Sequence, residues 1–163
     1  MEHLRVCRFE LDGASFGLPI ESVREITPMA ALARPPAIAS IIEGFLNLRG
    51  VSLPVVRLAE LVGLKSQALE LHTPLVIVRS GEMLMALLVK RVNGLLTVPS
   101  NELRPIAKSD SFNGCVDATI TSAGATVHLL SLNRLLLEKE RQMLAEFQKV
   151  ETARLAAIDR HPS

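Results

Sequence analysis

Through residue 130 the chain alternates short apolar runs with turn residues. Beyond that a Leu-, Glu- and Arg-rich stretch runs on without Gly or Pro as far as residue 159. Short runs that are alternating or wholly apolar read as strands, and a long breaker-free stretch of helix formers reads as a helix. On that basis residues 8–11 and 15–19 form a hairpin around Asp12-Gly13. Ile20, Val23 and Ile26 recur at three-residue spacing and predict a helical turn. Pro28, Pro35 and Pro36 mark an irregular connection. The apolar run 41–48 leads into an Arg49-Gly50 turn, and 52–58 is a strand. One helical turn, 59–62, is closed by Gly63. A strand at 74–79, a turn at Ser80-Gly81-Glu82, a buried strand at 83–89 and a short strand at 95–98 follow. Residues 100–113 read as a polar loop, and 116–121 with 126–130 as a hairpin around Ser122-Ala123-Gly124. The rest is the long helix.

The pattern repeats within the chain. Setting Gly50 against Gly124 matches Leu53 with Val127, Val55 with Leu129, Val56 with Leu130, Leu58 with Leu132 and Leu61 with Leu135. Setting Gly13 against Gly81 matches Phe16 with Leu84, Leu18 with Ala86 and Ile20 with Leu88. One insertion is then needed to bring Val23 onto Val92. Two similar β-units of about five strands are expected. Neither is large enough to bury much core alone, so the two should share an apolar seam.

Composition narrows the function. The 163 residues are 48% apolar and 21% charged, with a net charge of +1 and 3% aromatics. A sizeable core is available and disorder is not expected. A basic face or stacking aromatics would mark a nucleic-acid reader, and the sequence offers neither, so no nucleic acid is expected as a partner. No apolar run reaches the length of a membrane span, and the N-terminus lacks a signal-peptide pattern. Direct membrane insertion is therefore not expected, and a cytoplasmic location is. Cys7 and Cys115 lack a Cys-x-x-Cys spacing and read as core thiols. His3, His72, His128 and His161 show no metal-ligand spacing, and no Gly-rich phosphate loop follows a strand, so neither metal nor cofactor is expected.

Gly13-Ala14-Ser15-Phe16-Gly17 matches a Gly-x-Ser-x-Gly nucleophile elbow, and Asp110 or Asp117 with His128 follow in triad order. An elbow needs a sheet already laid down before it and a helix directly after it. Twelve residues precede Gly13 and an extended run follows Ser15, so a hairpin turn is the better reading and no enzyme is expected.

The stretch Gly44-Phe45-Leu46-Asn47-Leu48-Arg49-Gly50, followed by Pro54-Val55-Val56-Arg57-Leu58, resembles the signature of the CheW-like family of chemotaxis adaptors. Phe16 to Ile26, Leu75 to Val78, Leu103-Arg104-Pro105 and Leu129 to Leu136 are similar to other family segments. The resemblance covers about residues 5 to 140. It implies an all-β fold with peripheral helices: two five-stranded SH3-like barrels in residues 1–138, sharing an apolar seam. Residues 139–163, an extended C-terminal helix, run beyond the family's usual ending. The resemblance also implies a non-catalytic adaptor with two partners, the regulatory domain of a CheA-type histidine kinase and the helical cytoplasmic tip of a chemoreceptor. Such an adaptor is recruited to membrane-associated receptor arrays.

A receptor tip would be read as a helix in a groove. By the resemblance, Ile20 and Val23 line the groove, Glu25 is an acidic rim, and Asn47 and Arg49 form the signature turn. Gly44 and Gly50 supply the backbone freedom. Bland alternatives stand beside each role. Ile20 and Val23 also fit a core, Asn47 a residue that only stabilises its own turn, Arg49 an internal ion pair, and Glu25 a solvated face. Arg57 departs from the family resemblance, which implies that an aspartate usually stands there. If that aspartate pairs with the signature arginine, Arg57 and Arg49 repel and Arg49 is freed for a partner. Leu144, Phe147, Val150, Leu155 and Ile158 give the long helix an apolar face, which either folds back on the body or is a docking or self-association surface. A diverged scaffold without kinase coupling and a Ser15 hydrolase are the competing functions.

Overall fold

The structure, a computed structural model, describes residues 2–65, 68–106, 111–122 and 124–159. Asp110, Ala123 and His161 lie outside them, and the side chain of Ile158 is not described. The strands are β1 His3–Leu11, β2 Ala14–Pro19, β3 Val23–Pro28, β4 Ile42–Leu48, β5 Val51–Arg57, β6 Pro74–Ser80, β7 Met83–Leu88, β8 Arg91–Pro99, β9 Leu103–Pro105, β10 Val116–Ser122 and β11 Ala125–Leu130. A short helix, α1 Leu58–Leu61, follows β5, and a long one, α2 Leu132–Asp159, closes the chain.

These strands make two sheets, ordered β8-β1-β2-β11-β10-β9 and β3-β6-β7-β5-β4. The expectation of two five-stranded barrels is corrected here. One sheet has six strands, the other five, and neither ladder closes among the described residues. The chain itself carries one sheet edge toward the other. After β3 it returns to β4 at a single bridge, Ala33 to Phe45, and after β8 a 3₁₀ turn at Ser100–Glu102 leads into β9, which pairs with β10. In its place in the sheet the Ala33 bridge is the counterpart of β9, reduced to one residue.

The duplication is real, with a corrected alignment. The hairpin loops are Asp12-Gly13 between the Leu11–Ala14 pair and Gly81-Glu82 between the Ser80–Met83 pair. Loop position, and not the glycine, is what repeats. Gly13 then faces Glu82, Phe16 matches Met85, Leu18 matches Leu87, and Val23 meets Val92 without an insertion. The pairings agree: Val23 with Val78 mirrors Val92 with Phe9, and both ladders carry a bulge just beyond, before Glu25 and before Gly94. A second bulge recurs in β4 after Ile42 and in β10 after Val116. The hairpins are exchanged between halves. β2 runs parallel to β11 and β7 parallel to β5, so each sheet joins a hairpin from one half to strands of the other.

The bulge at Arg24 explains why the strand at 23–28 reads as a helical turn. Only Ile20–Ser22 is helical, a 3₁₀ turn, and Val23–Pro28 is a strand. An extra residue breaks period two, and apolar residues three apart then mimic a helix.

Three apolar clusters hold the fold. Leu46, Leu53, Val55, Leu75, Ile77, Ala86 and Leu88 fill the concave side of the five-stranded sheet. Val6, Val98, Ala118, Ile120, Val127 and Leu129 do the same for the six-stranded sheet. The largest cluster is the expected seam. It sets Phe9, Leu11, Phe16 and Leu18 of one sheet against Val56, Val76, Val78, Met85 and Leu87 of the other, with Leu58 and Leu61 of α1 and Leu135 of α2 closing it. Alternate residues of β6 thus serve different cores, Leu75 and Ile77 on one face and Val76 and Val78 on the other, which is why the strand reads as one apolar run. The first turns of α2 dock through Leu135, Glu138 and Lys139, all buried, so residue 138 lies inside a continuous helix.

A candidate docking surface at the signature turn

Arg49 and Gly50 form the two-residue loop of the β4–β5 hairpin, between the paired Leu48 and Val51. Both have positive φ, 48° and 86°, the conformation that matches the twist of a tight hairpin. Gly50 takes it at no steric cost, and a Cβ there would meet open space. Arg49 does not, and its strain is offset locally. The Asn47 Oδ1 accepts the Gly50 N–H at 2.9 Å, which pins the turn. That is the self-stabilising role weighed for Asn47.

The Arg49 guanidinium reaches Glu25 on β3 and donates through Nη1 at 3.3 Å and Nη2 at 2.5 Å. β3 and β4 are opposite edges of the same sheet, so this bidentate pair bridges the gap the backbone ladder leaves open. The hydrogen bond from Arg49 holds the Glu25 carboxyl below the usual carboxylate range, and the same contact raises the Arg49 guanidinium. The Arg49 side chain is 66% exposed and that of Glu25 is 30% exposed. An ion pair so open to water contributes little to stability. It orients the fork without locking it, and an incoming carboxylate or carbonyl can take its place at small cost.

The other expected site residues divide. Val23, half-buried, packs against the seam, and Ile20 is half-buried in the 3₁₀ turn beside it. Gly44 is buried where residues 32–34 cross β4. A Cβ there would lie 2.9 Å from the Ala33 carbonyl oxygen and 2.9 Å from the Leu32 Cβ, so close approach is what demands glycine.

Arg57 sits at the far end of β5 from Arg49, and repulsion between the two is not what the fold contains. Its Nε donates to Glu43 Oε2 at 2.6 Å, and its Nη1 lies 3.5 Å from Glu60 Oε1. Glu43, 9% exposed on β4, is clamped from the other side by Arg34, whose Nη2 is 3.0 Å from Oε1 and whose Nε donates to the Glu43 carbonyl at 3.1 Å. Sequence reasoning missed Glu43, although a lone carboxylate inside the apolar run 41–48 was its signal.

Ser15 lies in β2 with Phe16 and Gly17 extended after it, so the strand-turn-helix context of a nucleophile elbow is not formed. Cys115 is fully buried, and burial pushes its thiol up to about 11. His128 packs on Phe16 and Phe112, and burial lowers its pKa. Among the described residues no cluster of His, Cys, Asp or Glu has the makings of a metal site, and no described helix is long and apolar enough to cross a membrane.

Two curled sheets share a seam, and an open ion pair lies at a pinned turn. Comparison with known proteins identifies the family. Residues 5–140 match the family model for the CheW-like domain, and the chain belongs to that family. It is 23% identical over 138 residues to chemotaxis protein CheW of Thermotoga maritima, covering 85% of this chain and 91% of that one. It is 26% identical over 139 residues to chemotaxis protein CheW of Rhizobium meliloti, covering 82% and 88%. The crystal structure of the scaffolding protein TtCheW from Thermoanaerobacter tengcongensis superposes with a TM-score of 0.75 at 21% identity, covering 83% of this chain and 88% of that chain.

Proposed function

We propose that this protein is a non-catalytic chemotaxis adaptor that couples chemoreceptors to a CheA-type histidine kinase, acting in the cytoplasm at receptor arrays. Family membership supports the role, and the observation that carries the site is the exposed, bidentate Arg49–Glu25 pair across the open edge of the five-stranded sheet. In this reading each curled sheet is an SH3-like unit. Arg49 exchanges Glu25 for an acidic or carbonyl group on the receptor helix, while Ile20 and Val23 offer apolar contact beside it. Asn47 and Gly50 hold the turn in position. Gly44 and Arg57 support the β4–β5 hairpin from its other end and touch no partner.

Calorimetry with the regulatory domain of the organism's own CheA-type kinase tests the coupling role. Micromolar affinity, about −8 kcal/mol, is the expected result. A receptor-tip helix measured against Arg49→Glu tests the site. Affinity falls at least tenfold in a variant whose melting is unchanged. Kinase binding without any effect of Arg49→Glu keeps the adaptor and removes the site. No kinase binding leaves a diverged scaffold.

A further inference from the structure

Beyond its docked first turns, α2 is built inside out. On a helix of 100° per residue, Glu138, Gln142 and Glu146 share the side facing the body, where the Ser40 N–H donates to Glu146 Oε2 at 2.7 Å. Leu144 and Phe147 lie on the outward side and are each 62% exposed, while Val150, 57% exposed, stands on the flank between that side and the recess beside Ser40. Apolar side chains on a surface helix ordinarily face the core, and a segment with so few contacts of its own is marginal as an isolated helix. The outward face needs a cover.

The charges on that stripe say which. Glu140 lies seven residues before Phe147 and Arg154 seven residues after it, so all three sit in one line with an acid at one end and a base at the other. A second copy laid parallel would put Glu140 on Glu140 and Arg154 on Arg154. A second copy laid antiparallel about Phe147 puts Glu140 against Arg154 at both ends and Leu144 against Val150 on both sides of the centre. The Arg154–Glu151 pair within the helix is exposed and no barrier to this exchange.

We propose that α2 is a self-docking element: two copies of this chain pair through the outward faces of their C-terminal helices, antiparallel and centred near Phe147. The docking surface at Arg49 takes no part in this pairing.

The test uses the full chain alone, free of any partner, by light scattering after gel filtration over a range of concentrations. A mass near twice the 17.7 kDa chain is expected, with Phe147→Glu shifting the midpoint of dissociation at least tenfold higher. Glu140→Arg should weaken the dimer, and the double variant Glu140→Arg with Arg154→Glu should restore it. A mass of one chain at several hundred micromolar overturns the proposal and leaves the face to another protein. A dimer indifferent to Phe147→Glu overturns the location, and one that the double charge exchange does not rescue overturns the antiparallel arrangement. Kinase binding measured on Phe147→Glu separates this question from the adaptor role, because that variant should bind the kinase normally.

Discussion

Replacing Arg57 with aspartate should destabilise the protein. Arg57 Nε sits 2.6 Å from the nearly buried Glu43 carboxylate and its Nη1 sits 3.5 Å from Glu60. Removing one partner of a fully buried pair costs about 3–5 kcal/mol. Arg34 still neutralises Glu43, and the Arg57 side chain is 36% exposed, which places the loss of attraction at about 1–2 kcal/mol. Aspartate adds a like charge. At a separation of about 5 Å and an effective dielectric of about 20 the repulsion approaches 3 kcal/mol, and rotation of the shorter side chain toward water removes at least half of it. The sum is about 3 kcal/mol, or a fall of roughly 6–12 °C in Tm for a chain of this size. Thermal and urea melts followed by circular dichroism measure it. Arg57→Ala separates lost attraction from added repulsion, and the pairing of Arg57→Asp with Glu43→Gln should recover about 1–2 kcal/mol as a coupling term. A Tm of Arg57→Asp within about 2 °C of the parent would refute the ion-pair account of Glu43.

Gly44→Ala should cost about 1–3 kcal/mol, because the new Cβ meets backbone at Ala33 that cannot swing away; denaturant titration reads this directly. Phe16→Ala, which opens the seam beneath Phe9, Phe112 and His128, should cost about 3–5 kcal/mol in the same assay. The Glu25 carboxyl is depressed in the folded state, so its contribution is present above the unfolded carboxylate value and is lost as pH falls through the lower folded one. Acid titration of Glu25→Gln should therefore show a shallower loss of stability below about pH 4 than the parent. Cys115 should resist alkylation at pH 8 until the chain unfolds, since burial raises its pKa and hides the sulfur; timed mass spectrometry with iodoacetamide shows whether it does.

Local chemistry was readable in the sequence. Asp12-Gly13 and Arg49-Gly50 announce their hairpins, and the breaker-free run after Ser131 announces α2. The apolar seam followed from the repeat alone. What escaped was set by distant partners. β8 is nine residues long because β1 lies beside it, although Asn93, Gly94 and Thr97 weaken its apolar pattern. β9 exists inside a polar loop because β10 offers it an edge. At the site, the turn carrying Asn47, Arg49 and Gly50 was legible, but its link to Glu25 depends on a sheet curling until its opposite edges meet. Arg57 looked like a neighbour of Arg49 in sequence, and a strand's length separates them in space. The outward face of α2 was visible as a stripe, and only the docked side of the helix decides that it points to solvent.

The exchanged hairpins constrain how the molecule comes into being. Neither sheet can be completed from one half of the sequence: β5 waits for β7, and β2 waits for β11. A ribosome delivering this chain from its N-terminus releases β1 and β2 long before their parallel partner is made, so the first hairpin must stay unpaired on one side through nearly the whole of synthesis. Such long-range closure slows folding and exposes an apolar edge while it is pending. Once closed, the two sheets are tied to each other by the chain's own covalent crossovers as well as by the apolar seam.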